Sequence, residues 1–360
     1  MIPAIKSRLN RWLLDSPVSE YDLSCYRIIY ALFVLVTLWR ADYAASLPPV
    51  AFDPPDGPFA VLTGSPSLLT IWALQAFLCF SLAALAIGWH ARFAALIVAI
   101  LQIALYGIGY SYGKIDHTIL VAVVPLLLLF SSWASHYSVD SYQRPQASSG
   151  HSWALRSLAV AIGAALLSAG LAKVLGGWLL WDTQATFGYF VLTKDVFNSS
   201  LETTGYLQSM SNPVAWEILD YVTVLLECGI IAAALSWRTF YVGISLLATF
   251  HLFIFLTLGI LFPYNLPAYA AFLPWARGLA WVPVWAKNNM ASRLARSLLL
   301  RLSICTIVSL LALGLAWVRP PWLVPGIYLG AVCLGSALGF AYLVKSAWCL
   351  LRSHAIYRSA

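Results

Sequence analysis

Charged residues are scarce in this sequence: they make up 10% of its 360 residues, whereas hydrophobic residues make up 61%. A soluble globular domain typically carries about 25% charged residues, so this chain has too little polar surface to coat a particle in water. At about 20 residues per transmembrane helix, its apolar fraction can form roughly ten membrane segments. The composition therefore excludes an ordinary soluble protein and predicts a polytopic membrane protein.

Several other signals are missing, and each absence removes a class of protein. The six cysteines lie inside apolar segments without Cys-x-x-Cys spacing, which excludes a disulfide scaffold. The net charge of +7 is spread singly between apolar runs, so we expect no nucleic-acid partner. Phosphate-binding loops, metal-ligand spacings and nucleophile elbows are absent as motifs. The first 22 residues contain no continuous apolar run, which argues against a cleaved signal peptide.

Long apolar runs predict an all-α fold, a polytopic integral membrane helical bundle with about nine or ten membrane segments, because only helices satisfy every backbone polar group within one span. The predicted spans are 23–43, 67–89, 92–112, 117–133, 153–174, 214–235, 239–262, a short one near 264–276, 299–317 and 322–350. The predicted organisation is an N-terminal segment 1–22, a membrane domain 23–285, a basic linker 286–298, two additional membrane helices within 299–350, and a tail 351–360.

Basic residues are distributed unequally between the two sides of this predicted bundle. If the N-terminus is cytoplasmic, that side receives most loop lysines and arginines, including those of 277–296, while the other side keeps Arg40, Lys114, Lys194 and Arg319. The positive-inside rule therefore predicts that both termini are cytoplasmic, with the protein in the plasma (inner) membrane. It also requires segment 264–276 to cross or re-enter the membrane.

One lysine lies at the end of an apolar segment. Ala161, Ala165 and Ala169 precede Lys173 at intervals of four, which places it on the face of a small-residue stripe. Such stripes allow close helix packing, so this spacing directs the amine into the bundle, where a desolvated lysine can act as a base. The alternative is a lysine that extends to the outer interface, as is common at helix ends.

Other ionisable residues also fall within predicted spans, where charge is expensive. Glu227 is near mid-membrane, so we expect it to be neutral or paired with a cation from another helix. His251 is either a hydrogen-bonded core residue or a catalyst. Arg27 lies near a helix start, so we expect it to extend to the cytoplasmic interface. Asp116 is expected to cap the fourth helix, with His117 at the outer surface.

Five stretches occur together in a familiar order: Asp116-His117 within 113–120, residues 135–140, Ala169-Gly170-Leu171-Ala172-Lys173, Leu226-Glu227-Cys228-Gly229, and Phe250-His251. This order resembles the horizontally transferred transmembrane domain (HTTM) family, which includes the membrane domain of vitamin K-dependent γ-glutamyl carboxylase and its bacterial relatives. The resemblance covers roughly residues 20–285.

The resemblance implies a quinol-dependent site. By analogy, Lys173 would be the catalytic base that deprotonates a reduced quinone similar to vitamin K hydroquinone, and His117 would assist it. Glu227 and His251 would line the same cavity and contact the cofactor. The expected partners are the lipid bilayer and an isoprenoid quinone or lipid ligand.

The sequence leaves two functions open. The first is a quinol- or lipid-dependent membrane enzyme; because two apolar spans follow the membrane domain here, where the carboxylase has a large soluble region, carboxylation of protein glutamates is not expected. The second is a non-catalytic membrane accessory or transport protein on the same fold. An enzyme requires a Lys173 amine that is partly unprotonated and an adjacent cavity open to lipid or to the outer surface, whereas a structural role predicts full pairing with a carboxylate and no cavity.

Overall fold

The computed structural model describes residues 7, 10, 12–38, 40–61, 63–113, 115–116, 118–143, 153–197, 212–278 and 292–358. All regular elements in this part of the chain are helical, which confirms the predicted all-α class. The α-helices are α1 (Glu20–Val36), α2 (Leu68–Ile87), α3 (Ala91–Tyr110), α4 (Ile119–Leu128), α5 (Val139–Gln143), α6 (Trp153–Leu175), α7 (Ala185–Phe197), α8 (Pro213–Ala233), α9 (Trp237–Leu258), α10 (Leu266–Ala270), α11 (Trp275–Gly278), α12 (Leu298–Val318) and α13 (Leu323–Arg358).

Six of these helices are long and apolar enough to cross a membrane: α2, α3, α6, α9, α12 and residues 323–350 of α13. The predicted count of nine or ten is not confirmed. Helix α1 has only 17 residues, and the predicted span 117–133 is a ten-residue helix containing Pro125. Helix α8 is long enough but carries three carboxylates.

Segment 264–276 does not form a membrane-spanning helix. It contains a 3-10 turn at Pro263–Asn265, the five-residue helix α10 and the start of α11. Five helical residues extend about 7.5 Å, far less than a bilayer core of about 30 Å. Pro263, Pro267 and Pro274 remove backbone donors from this segment and thereby interrupt a continuous helix.

The chain divides into two compact units, residues 1–158 with 267–324, and residues 159–266 with 325–360. In the first unit, α2 packs against α1, α3 and α12, and α3 also packs against α4. In the second unit, α8 packs against α7 and α9. The predicted domain boundaries at 22, 285, 298 and 350 remain predictions.

Local sequence signals fix the helix ends of the first unit. The Ser19 hydroxyl accepts from the Asp22 backbone while the Asp22 carboxylate accepts from the Ser19 backbone, a capping box that starts α1. Helix α2 ends at Gly88, whose φ of 70° lies in the left-handed region that glycine adopts without strain.

The second unit has an aromatic core at one end of its helices. Asn212 caps α8, and Pro213 occupies its first turn, where a missing N–H does no harm. Phe190 of α7 and Trp216 of α8 pack with Ile254 and Leu258 of α9. This cluster holds α7 against the two longer helices.

Candidate functional site

The Lys173 amine forms an ion pair with Glu227. Nζ lies 2.8 Å from Oε1 and 2.6 Å from Oε2, so the ammonium bridges both carboxylate oxygens. The side chains are 23% and 13% exposed. Lys173 therefore points toward α8, and the cation that we expected from another helix for Glu227 is this lysine.

Two glycines of α6 allow α8 to come this close. A Cβ on Gly170 would lie 2.5 Å from Cys228 Sγ, and one on Gly163 would lie 2.8 Å from the Ile231 backbone. Gly163, Gly170 and Lys173 follow at spacings of seven and three, which keeps them on one face. The predicted alanine stripe is only half-buried, so the small residues that make the contact are glycines.

The end of α6 directs an aromatic ring toward the lysine. Gly177, with a φ of 83°, donates to the Val174 carbonyl at 3.1 Å, and Trp178 donates to the Lys173 carbonyl at 3.1 Å. These are the two hydrogen bonds of a Schellman motif. The turn brings the Trp178 ring centroid to 5.4 Å from Nζ, within range of a cation–π interaction.

The other two carboxylates of α8 bind the start of α7. Asp220, which is fully buried, accepts from the backbone N–H groups of Ala185 (2.7 Å) and Thr186 (2.8 Å). Glu217 accepts from the N–H of Gln184 at 2.8 Å. Negative charge at a helix N-terminus is stabilised by the helix dipole. These carboxylates therefore anchor the segment that follows Trp178.

The other two residues predicted for the site are His251 and His117. His251 is 4% exposed and stacks on Phe262 with ring centroids 5.1 Å apart, so it belongs to a buried aromatic environment. Its sharing of a cavity with Glu227 stays a prediction. His117 lies outside the described residues. Its neighbour Asp116 was expected to cap the fourth helix, but the N-cap residue of α4 is Thr118. Asp116 instead accepts from the Thr118 N–H at 2.8 Å, in the turn before the helix.

Arg27 in the first unit was predicted to extend to the interface, and this prediction is wrong. Its side chain is fully buried, and Nη2 donates to the Tyr137 carbonyl at 2.7 Å. Among the described residues, Nε and Nη1 have no hydrogen-bond partner. A Cβ on Gly88 would lie 2.2 Å from Nη1, so the glycine gives the guanidinium its space.

Residues 135–140 bind back to α1 and α3. The His136 ring stacks on Tyr21 with centroids 3.8 Å apart, and its Nε2 lies 3.7 Å from Glu20 Oε2. Desolvation lowers the pKa of His136, an effect that the Glu20 charge opposes. Asp140 accepts from the N–H groups of His90 (2.9 Å) and Ala91 (2.7 Å), which caps α3. The spacing of residues along a single helix could not have predicted these contacts, because they join a helix to a loop that is distant in sequence.

The described helices define a helical membrane protein, and within this part of the chain no group of three His, Cys, Asp or Glu side chains is placed to hold a metal ion. A family model, the HTTM domain, matches residues 16–273. The chain belongs to the HTTM family, as the sequence motifs indicated. Comparison with curated proteins and with solved structures gave no match.

Proposed function

We propose that this protein is a membrane enzyme in which Lys173 and Glu227 exchange protons with a lipid-soluble hydroxyl compound such as a reduced quinone. The observation that supports it is accessibility: the Lys173 and Glu227 side chains remain 23% and 13% exposed, although they are paired with each other. Charged groups in apolar surroundings are expensive and mark functional sites in membrane proteins. The Ala169-Gly170-Leu171-Ala172-Lys173 stretch of the family resemblance contains the same lysine.

The Lys173–Glu227 pair can generate a base by itself, because Glu227 can accept the proton that the amine must lose. Transfer of one proton from Nζ to a Glu227 oxygen gives a neutral amine and a neutral acid, and apolar surroundings favour this neutral form more than water does. The amine then takes the hydroxyl proton of the substrate and becomes an ammonium beside the new oxyanion. Trp178 limits the positions that the ammonium can adopt. His117 and His251 would complete the polar lining, as the resemblance implies.

The pairing of Lys173 with both oxygens of a carboxylate is the arrangement expected for a second candidate, a non-catalytic accessory or transport protein. Here Lys173 only neutralises Glu227 and fastens α6 to α8 through the contacts at Gly163 and Gly170. Removal of one partner of a buried ion pair destabilises by about 3–5 kcal/mol, whereas removal of both is often neutral. The two candidates therefore differ in what the double substitution does to activity.

Lys173→Met, Glu227→Gln and the double variant separate these functions. The wild-type protein in lipid is assayed for oxidation of a quinol with dissolved oxygen as the oxidant, a reaction that begins with loss of the hydroxyl proton, and thermal unfolding is followed in detergent. The enzyme predicts that the double variant regains stability but stays inactive, because methionine has no proton acceptor. A double variant that regains both, or a wild-type protein that turns over no quinol, contradicts the enzyme and favours the structural role.

We also propose a topology with both termini in the cytoplasm, in which α1, α4 and α8 cross the plasma membrane together with the six apolar helices. Segment 264–276 then returns the chain as irregular backbone, which a membrane tolerates only where protein covers it. In support, Pro267 accepts from the Tyr26 hydroxyl, and the Ala276 N–H donates to Asp22 at 2.8 Å, so this segment follows the first turns of α1. Its residues Ala268, Ala271 and Phe272 are buried.

Cysteine labelling tests the topology. In a protein whose six cysteines are replaced, a cysteine at Ser353 should react only from the cytoplasmic side and one at Ser199 only from the outside. Reaction of both from one side contradicts the proposed path of the chain.

A further inference from the structure

A cleft of about 280 Å³ opens where α3 begins, in the first unit. It is lined by residues of two elements, His90, Arg92 and Phe93 from the start of α3 and Ser135, Asp140 and Ser141 from the loop and helix that fold back onto it. This volume is near the lower end of small-molecule sites, about 300–1000 Å³. The cleft takes no part in the chemistry proposed for Lys173.

The charges around the cleft favour an anion. Asp140 is its acidic group, but both carboxylate oxygens are used by the N–H groups of His90 and Ala91. Buried Arg27 also interacts electrostatically with Asp140. The exposed Arg92 guanidinium is therefore left to bind a ligand, and Ser135 lines the same cleft. Ser141 also lines the cleft, but its hydroxyl already donates to the Ser138 carbonyl at 2.9 Å. Arginine is well suited to phosphate because its planar fork donates two parallel hydrogen bonds.

An apolar track leads away from the cleft along α3. Phe93, Leu96 and Ile100 are all exposed large hydrophobic residues, and their spacings of three and four place them on one face of the helix. Phe93 also lines the cleft, so the phosphate-binding end and the apolar face are continuous. A free phosphate would use only the first of these features, whereas a phospholipid would use both.

We propose that this cleft binds the phosphate headgroup of an anionic phospholipid, whose acyl chain lies along Phe93, Leu96 and Ile100. Basic clefts between membrane helices bind anionic headgroups by this chemistry. Arg92 carries the charge that selects the anionic lipid over a zwitterionic one. One basic side chain near an anionic lipid surface changes binding by about fivefold.

The test uses the full-length protein in phosphatidylcholine nanodiscs that contain a minor fraction of phosphatidylglycerol, with retained lipids counted by native mass spectrometry. We expect the wild-type protein to retain phosphatidylglycerol preferentially and Arg92→Gln to lower this about fivefold. Arg92→Lys, which keeps the charge but not the planar fork, should lower it less. Arg238→Gln is the matched control, because Arg238 is likewise an exposed second residue of an apolar helix, α9.

Three outcomes would overturn the proposal. Equal losses in Arg92→Gln and Arg238→Gln would mean unspecific attraction of lipid to positive charge. Displacement of phosphatidylglycerol by inorganic phosphate would assign the cleft to a soluble anion. No preference in the wild-type protein would leave the cleft without a lipid. Unchanged thermal unfolding of Arg92→Gln, which we expect for an exposed side chain, separates lost binding from lost folding.

Discussion

Arg27 and Lys173 are both cations within apolar helices, but the two units accommodate them in opposite ways. Arg27 is fully buried, and its hydrogen bond goes to a backbone carbonyl of a loop, at Tyr137. Lys173 is partly exposed and binds a carboxylate of a neighbouring helix. The first arrangement fixes a loop to a helix. The second keeps a proton donor and a proton acceptor in contact at an accessible position, which is what acid–base chemistry requires.

The two regions share one device, which is glycine at the point of closest approach. Gly88 gives room to the Arg27 guanidinium, and Gly163 and Gly170 give room to the helix that carries Glu227. In both places the charged contact depends on a glycine, because a Cβ at that position would clash with the neighbouring group. Replacement of a glycine by alanine in each region, with measurement of the stability lost, therefore tests the comparison.

The largest effect is expected for Gly88→Ala. Its Cβ would lie 2.2 Å from Arg27 Nη1 and 2.7 Å from the Ser138 backbone, and alanine would be strained at this φ. The strain of about 1–2 kcal/mol and the overpacking of about 1–3 kcal/mol together predict a loss of about 2–5 kcal/mol. Unfolding in detergent measures it. Gly57→Ala is the control, since Gly57 has a φ of 90° but nothing within 4 Å of its Cβ; equal losses would mean that Arg27 needs no such space.

A smaller effect is expected for Asp220→Ala in the second unit, where the buried charge is a carboxylate bound by backbone N–H groups. The change strands the donors of Ala185 and Thr186. Thr186 is buried and Ala185 only half-buried, so at about 1–3 kcal/mol for the buried donor and about 1 kcal/mol for the other we expect a loss of about 2–4 kcal/mol. Hydrogen exchange should show the earliest opening at the start of α7. The exposed Asp182 provides the control: if Asp182→Ala has the same effect, loss of negative charge and not of the cap is responsible.

Gly163→Ala should weaken the contact between α6 and α8 by about 1–3 kcal/mol, because its Cβ would meet the Ile231 backbone at 2.8 Å. Gly229→Ala on the opposite helix has open space at Cβ and should be neutral or slightly stabilising, since alanine is the better helix former. Thermal unfolding of both variants gives the comparison. A neutral Gly163→Ala would show that the Lys173–Glu227 pair does not depend on close packing.

The surroundings of Lys173 could be predicted from the sequence better than those of Arg27. Periodicity along α6 and α8 identifies faces of single helices, so it gave an inward Lys173 and a cation paired with Glu227 as two of the alternatives. It did not identify Gly163 and Gly170 as the contact between the helices. Arg27 was misjudged because its environment comes from residues 137–140, more than a hundred positions away, and from the left-handed turn at Gly88. Distance from a helix end says nothing about a loop that folds over that end. Segment 264–276 was predicted as a short membrane segment, but its prolines divide it into helices too short to span. Its crossing or re-entry as irregular backbone stays a proposal.

The smallest effect is expected where a cation is paired outside the apolar helices, at Arg40 and Asp42. The hydrogen bond from Arg40 lowers the pKa of Asp42 from its ordinary value of 3.8, although burial opposes this shift. A carboxylate whose pKa is lower in the folded state stabilises the fold above its ordinary pKa, and this contribution disappears as the pH falls through the lowered value. Arg40 is 39% exposed, so solvent screens the pair and the contribution at neutral pH should be about 0.2–1 kcal/mol.

Asp42→Asn should therefore lower the unfolding temperature slightly at pH 7, and the difference from wild type should vanish in strong acid and shrink in high salt. A difference that persists after the carboxylate is protonated would mean that Asp42 acts by packing and not by charge.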